Sequence, residues 1–135
     1  MRVLLDTNVL IAAFAAHGAC AELLEHCVRR HELVTSEFIL EEFRRNLVAK
    51  FGVSPKDASQ AVRLLRSRMI LVTPSDAGKG VCRDPDDALI LATAAVGKCQ
   101  CIVTGDKDLL ALGRFEGSDI RSPGEFWRYE DGTRA

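Results

Sequence analysis

Short, wholly apolar runs alternate along the chain with longer stretches that are apolar on one side only. Val3-Leu4-Leu5 is continuously apolar, the pattern of a strand covered on both faces. Helical patterning follows from Val9 to Phe14 and again from about Ala19 to Arg30, and Leu33-Val34-Thr35 reads as a second strand. Ser36 suits the N-cap of a helix that runs to Phe51, with Gly52 as its stop. Ser54-Pro55 opens another helix, with Asp57 in its first turn and an apolar stripe of Ala58, Ala61, Val62 and Leu65. Met69-Ile70-Leu71-Val72 predicts a third strand. A polar loop containing Pro74, Gly78 and Gly80 then leads to a second cap-plus-proline start at Asp84-Pro85. The helix from Asp86 to Val96 is apolar almost all round and ends at Gly97. Cys101-Ile102-Val103-Thr104 is a fourth strand, followed by a short leucine-rich helix near Leu109, a weak fifth strand at Ile120 and a terminal turn or helix from Pro123 to Tyr129. Strands alternating with helices predict an α/β fold whose parallel sheet is covered on both faces. Ligands in such sheets sit beyond the carboxyl ends of the strands.

Length and composition narrow this without redirecting it. A chain of 135 residues suits one domain, 1–135, and 47% hydrophobic with 27% charged residues is the balance of a globular protein. Eighteen basic against nineteen acidic residues give a net charge of -1, so any affinity for phosphate has to come from local clustering. No apolar run approaches the roughly 18 residues that span a bilayer, and Asp6 interrupts the start too early for a signal peptide; the expectation is a cytoplasmic protein with no membrane contact. The five cysteines are odd in number and lack both Cys-x-x-Cys and zinc spacing, so they read as packing thiols of a reducing compartment, with Cys99 and Cys101 on one strand face. His17, His26 and His31 lie in or beside one helical stretch with no motif around them, and no chemical role is assigned to them.

The informative residues are the acids at the strand ends. Asp6 closes the first strand, with Thr7 and Asn8 after it; Thr104-Gly105-Asp106-Lys107-Asp108 closes the fourth; Asp84, Asp86 and Asp87 crowd the start of the apolar helix. Carboxylates gathered at one edge cannot all stay ionised without a cation, and a hard divalent ion with oxygen ligands, Mg²⁺ or Mn²⁺, answers that need and suits phosphate chemistry. Each acid also has an ordinary use. Asp6 can N-cap the next helix, and acids in a first turn complement the helix dipole by roughly 0.3–1 kcal/mol each. At about 100° per residue, Asp86 shares a face with Thr93, whereas Asp87 aligns with Leu91 and Ala94 on the inward side. Asp87 is therefore favoured for chemistry, Asp84 for capping and Asp86 for solvent. Walker A, Gly-x-Gly-x-x-Gly, His-Glu-x-x-His and Gly-x-Ser-x-Gly patterns do not occur.

Four strings recur in a familiar order: Val3-Leu4-Leu5-Asp6-Thr7-Asn8-Val9-Leu10; Ser36 to Glu42, a Ser at a helix start with a Glu six residues on; Asp87-Ala88-Leu89-Ile90-Leu91-Ala92-Thr93-Ala94; and Ile102-Val103-Thr104-Gly105-Asp106-Lys107-Asp108-Leu109-Leu110. Their order and spacing resemble the motifs of PIN-domain nucleases over nearly the whole chain, most of all the small prokaryotic VapC-like toxins. The resemblance implies a three-layer α/β/α sandwich around a parallel sheet of four to five strands and an acidic pocket binding Mg²⁺ or Mn²⁺ for phosphodiester hydrolysis. Carried over, the metal-binding acids are Asp6, Glu42, Asp87 and Asp106, with Asp108 a supporting ligand or a group behind one, and Asn8 and Thr104 holding the pocket by hydrogen bonds. Periodicity does not choose between Glu41 and Glu42; Glu41 has Arg45 at i+4 for a surface pair, and the family spacing from Ser36 selects Glu42.

The same resemblance implies RNA as substrate, an antitoxin protein as partner and a homodimer. Arg44, Arg45 and Lys50, then Arg63, Arg66 and Arg68, and Lys107 beside the pocket are candidates for tracking a nucleic-acid backbone, against the plain alternative of solvated helix faces. Two other readings stand beside a ribonuclease toxin. A catalytically idle PIN scaffold would act by binding RNA or protein. A receiver-like signalling domain would need an acidic pair after strand one and an acceptor Asp after the middle strand, where this chain has a single Asp and Thr73-Pro74.

Overall fold

The strands and helices alternate as the apolar pattern requires. In the computed structural model, which describes residues 1–16, 18–74, 80 and 82–133, the order is β1 (Arg2–Leu5), α1 (Thr7–Ala15), α2 (Ala19–Arg30), β2 (Glu32–Thr35), α3 (Glu37–Phe51), α4 (Pro55–Arg68), β3 (Met69–Leu71), α5 (Pro85–Val96), β4 (Cys101–Val103), α6 (Lys107–Leu112), β5 (Arg114–Phe115), β6 (Ser118–Arg121) and α7 (Pro123–Thr133). The strands form one sheet in the order β3-β2-β1-β4-β6-β5, parallel except for β5, with helices on both faces in a three-layer sandwich. Among the described residues no single helix is long and apolar enough to cross a membrane.

The caps operate as the residue types dictate. Ser36 Oγ accepts from Ile39 N at 3.4 Å, Ser54 Oγ from Asp57 N at 3.1 Å, and the Asp84 carboxylate from Asp86 N at 2.9 Å. Gly52 ends α3 in the left-handed region at φ 66, where a side chain would be strained. The polar loop expected around Gly78, like His17, lies outside the described residues.

Two elements differ from expectation. Helix α1 begins at Thr7, two residues before its apolar stretch, because Asp6 itself is the cap. The antiparallel strand β5 is absent from the sequence reading because two residues carry no periodicity. It arises from a tight turn in which Glu116 (φ 44) and Gly117 (φ 88) both take positive φ, the geometry that suits a twisted two-residue hairpin. The apolar segment of α1 and the α4 stripe are core: Val9, Leu10, Ile11, Ala58, Val62 and Leu65 are buried, and Phe51 and Leu64 remain exposed nearby. Cys27, Cys99 and Cys101 are buried free thiols whose pKa burial raises to about 12, so they pack as neutral groups.

Gly97 fixes how closely α5 approaches the sheet. A Cβ there would lie 2.5 Å from Cγ1 of Val34, itself buried in β2. Gly97→Ala is expected to cost about 1–3 kcal/mol by overpacking, seen as a lower urea midpoint at unchanged m-value. Its φ of -76 suits alanine, so no backbone strain contributes and the loss reads the contact alone.

Candidate active site

Strand β1 lies between β2, which precedes β3 outward on one side, and β4, from which the sheet continues the other way. The chain's direction of winding therefore reverses between β1 and β4, and the crevice beyond their carboxyl ends is where an open α/β sheet can receive a ligand. Asp6 leaves β1 at that crevice and Thr104-Gly105-Asp106 leaves β4 beside it. A backbone bond holds the two ends together, Asp6 N donating to Val103 O at 2.9 Å, and Thr104 N donates to Arg121 O of β6 at 3.0 Å.

The hydroxyl of Thr104 ties the two acids into one unit. It donates to Asp6 Oδ2 at 2.6 Å and accepts from Asp106 N at 3.0 Å. Asp6 Oδ1 caps α1 by accepting from Thr7 N at 2.7 Å, while Asp106 Oδ1 caps α6 by accepting from Asp108 N and Leu109 N at 2.8 and 3.0 Å. Capping thus aims both carboxylates rather than competing with a second use. Asp87, in the first turn of α5, is only 8% exposed although charged, as its inward helical position predicts. Carboxylate oxygens of Asp87, Asp106 and Asp108 come within 4.8 Å of one another. Glu42 approaches from α3, half-buried, with Asp6 and Asp86 close enough to act on its charge.

The electrostatics are those of uncompensated like charges. Burial, then the charges of Asp106, Asp84, Asp6 and Asp108, push Asp87 up to about 6. Asp6 is raised by burial despite the bonds from Thr104 and Thr7, with Asp106 adding to it. Glu42 is raised by burial and by Asp86 and Asp6, with the Thr7 hydroxyl acting the other way. Among the described residues, no Lys or Arg forms an ion pair with Asp6, Glu42, Asp87, Asp106 or Asp108. The donors are all oxygen, and the site has excess negative charge partly out of water. That combination fits a hard divalent cation such as Mg²⁺ or Mn²⁺.

The remaining candidates are placed unevenly. Asp108 is exposed at the rim, Lys107 and Arg45 are exposed, and Asn8 is exposed with no hydrogen bond to the pocket acids among the described residues. The surface partner of Glu41 is Arg44, Nε at 3.0 Å, and not Arg45 as the i+4 spacing suggested; the i+3 pair lets the guanidinium fork engage both carboxylate oxygens. Arg66 pairs with Glu37 across to α3. Asp86 is exposed, as its helical position predicts, and lies close enough to Glu42 at the pocket edge to act on its charge. Thr93 misled as a marker of the wet face, because it is fully buried and donates to the Leu89 carbonyl of its own helix at 2.7 Å. The sequence reading also missed half-buried Cys82, whose thiol is raised by burial and by Asp87, Asp106, Asp108 and Asp84. Its only signal was its place two residues before the Asp84 cap.

Comparison with known proteins bears on the fold and the family. No curated protein sequence matches the chain significantly. Among solved structures, a chain of VapBC2 from Rickettsia felis bound to a DNA fragment from their promoter is similar at TM-score 0.67 and 17% identity, over 90% of this chain and 98% of that one. VapBC-1 from nontypeable Haemophilus influenzae is similar at TM-score 0.66 and 18% identity, over 92% and 99%. DNA-bound VapBC from Salmonella typhimurium follows at 0.63 and 19%, over 91% and 98%. At such identities these likenesses speak for the fold. The PIN-domain family model matches residues 2–108, a span that holds every carboxylate of the pocket, and the chain belongs to the PIN-domain family.

Proposed function

We propose that this protein is a Mg²⁺- or Mn²⁺-dependent endoribonuclease that hydrolyses phosphodiester bonds of single-stranded RNA, as the toxin of a type II toxin–antitoxin pair. The observation that carries this reading is the convergence of Asp6, Glu42, Asp87 and Asp106, from four separate segments, at the crevice between β1 and β4, with no basic partner among the described residues. PIN domains are nucleases as a family, and the similar structures are VapBC assemblies, which supports a cognate antitoxin as partner.

Asp6, Glu42, Asp87 and Asp106 would hold the metal, with Asp108 at the rim. When bound, a divalent ion supplies positive charge against the phosphate oxygens and acidifies the attacking water. The chain's own residues do the positioning. Thr104 fixes the Asp6 and Asp106 carboxylates relative to each other, and the caps of α1 and α6 hold their rotamers. Lys107, exposed beside Asp106, and Arg45, exposed on α3 three residues after Glu42, are the cations we assign to an RNA backbone. Arg44 is available to the same backbone only by exchanging Glu41 for a phosphate.

The decisive experiment incubates the purified chain with single-stranded RNA in Mg²⁺, in Mn²⁺ and in excess EDTA. Cleavage with either ion and none with EDTA is the expected result. RNA binding without cleavage in any ion would instead support the idle-scaffold reading.

Metal binding should also depend on pH with a predictable sign. Asp87 takes up a proton near pH 6, and an entering ion must displace it. Mn²⁺ affinity is expected to be level above about pH 7 and to fall by up to about tenfold per unit below 6, as titration calorimetry would read. The metal-free protein responds in the opposite direction. A pKa raised on folding contributes stability below the unfolded value near 3.8, and that contribution is lost as pH rises through about 6. Asp87→Asn should flatten the affinity profile below pH 6.

A further inference from the structure

Two of the three histidines meet a buried acid at the other end of the sheet from the carboxylate pocket. His26 lies on α2, His31 follows it just before β2, and Glu130 comes from α7. The pocket acids stand where β1 and β4 end, whereas His31 stands where the parallel strand β2 begins. Both histidines direct Nε2 at the same oxygen, Glu130 Oε2: His26 at 2.6 Å, and His31 in a second, shorter contact. The partners are 104 and 99 residues apart in sequence, so neighbouring residues did not bring them together by default. The three side chains are 18%, 9% and 5% exposed.

The rings are held in place from behind. Trp127 lies against His26 with ring centroids 4.7 Å apart, and Phe126 meets His31 edge-on at 5.8 Å. The two imidazoles face each other at 74°, with centroids 5.7 Å apart. One ligand atom from each of the three residues falls within 4.8 Å of the others. Two imidazole nitrogens and one carboxylate oxygen, held by aromatic packing and partly open to water through His26, are the ligand set of a three-residue Zn²⁺ site with a fourth position left for water. Bonds of about 2.0–2.2 Å in a tetrahedron require ligand separations of about 3.4 Å, so the His26 contact needs to open by about 0.8 Å and the His31 contact by slightly more. Metal binding places the proton of His31 on Nδ1. The contact this costs is the one to Met1 N at 3.4 Å, at the long limit for a hydrogen bond.

We infer that His26, His31 and Glu130 form a second metal site, selective for a borderline transition ion of the Zn²⁺ class, that fastens α7 to α2 and the start of β2. The donor chemistry separates it from the all-oxygen pocket: imidazole favours Zn²⁺, Co²⁺ or Ni²⁺ over Mg²⁺. Glu130 lies outside residues 2–108, the span of the PIN-domain match, so the site joins the family core to the segment that follows it.

The test uses the whole chain carrying Asp6→Asn and Asp106→Asn, so that the acidic pocket is weakened, and Zn²⁺ alone as probe in excess Mg²⁺. The expected result is about one tightly held equivalent of Zn²⁺ and a melting temperature higher by on the order of 5–10 °C at saturation. Zn²⁺ should perturb the ring resonances of both His26 and His31. His26→Gln and Glu130→Gln should each weaken Zn²⁺ binding by about 100-fold, with the Mn²⁺ affinity of the otherwise unmutated chain retained as the control for folding. Absence of a stoichiometric equivalent, undiminished affinity in either variant, or unshifted ring resonances of His26 or His31 would overturn the site. The resonance readout needs no variant at the triad, so it decides the question even where those variants fail to fold.

Discussion

Asp6→Asn is expected to lower RNA cleavage by at least about 1000-fold, equivalent to about 4 kcal/mol of transition-state stabilisation, and to leave the fold intact. Asparagine keeps the shape of the side chain, and its Oδ1 can still accept from Thr7 N, so the cap of α1 survives. Its amide then donates where Oδ2 accepted. The Thr104 hydroxyl can receive that bond in a second lone pair while still accepting from Asp106 N. What disappears is the charge, and with it the metal ligand proposed at the end of β1. Asp6→Ala is less informative, because it also removes the cap, worth about 1 kcal/mol. Asp106→Asn should behave like Asp6→Asn, since its Oδ1 bonds to Asp108 N and Leu109 N are equally open to an amide oxygen. The measurement is single-turnover cleavage of single-stranded RNA, alongside circular dichroism of each purified variant. Activity of the double variant within tenfold of the parent would remove these acids from the chemistry.

How far the sequence could be read depended on whether the decisive partner was local. The inward position of Asp87 follows from helical geometry alone, because one stretch of α5 contains both the acid and the apolar residues that define its face. The same geometry puts Asp86 in solvent, where it lies, but by a mistaken marker. Thr93 looked polar on the helical wheel, yet it satisfies its hydroxyl on its own backbone and is buried against Ser36. The first turn of α5 is also oriented by the cap at Asp84 and by α3 opposite, neither of which a wheel contains. Glu41 and Glu42 show the limit from another side. Both lie off the apolar stripe, and what separates them is tertiary: Arg44 holds Glu41 on the surface, while Glu42 faces Asp6 and Asp86. For His26 and His31 nothing nearby in sequence pointed to Glu130, and their convergence exists only once α7 folds back along α2. Patterns within one element, and strand ends in a parallel sheet, could be read in advance; pairings between elements needed the packed chain.

Phe43→Ala is expected to cost about 3–5 kcal/mol, a large share of the roughly 5–15 kcal/mol that holds a domain of this kind together. Phe43 is fully buried on α3, immediately after Glu42, and its ring meets Phe14 of α1 edge-on with centroids 5.2 Å apart. Truncation loses the transfer free energy of the ring, leaves a cavity, and removes an aromatic pair worth about 0.5–1.5 kcal/mol beyond its area. Collapse of the site is opposed from several sides, because Ile39, Leu40 and Leu47 of the same helix are buried and anchored in the core. In thermal unfolding the loss should appear as a drop on the order of 10–20 °C, and in urea as a lower midpoint with unchanged slope. A loss below about 1.5 kcal/mol would show that α1 and α3 close over the gap. Closure would shift the helix that presents Glu42, so a mild loss of stability should come with weaker Mn²⁺ binding, and a severe one with metal affinity preserved in the fraction that remains folded. The two measurements together therefore separate the packing role of Phe43 from its support of the neighbouring carboxylate.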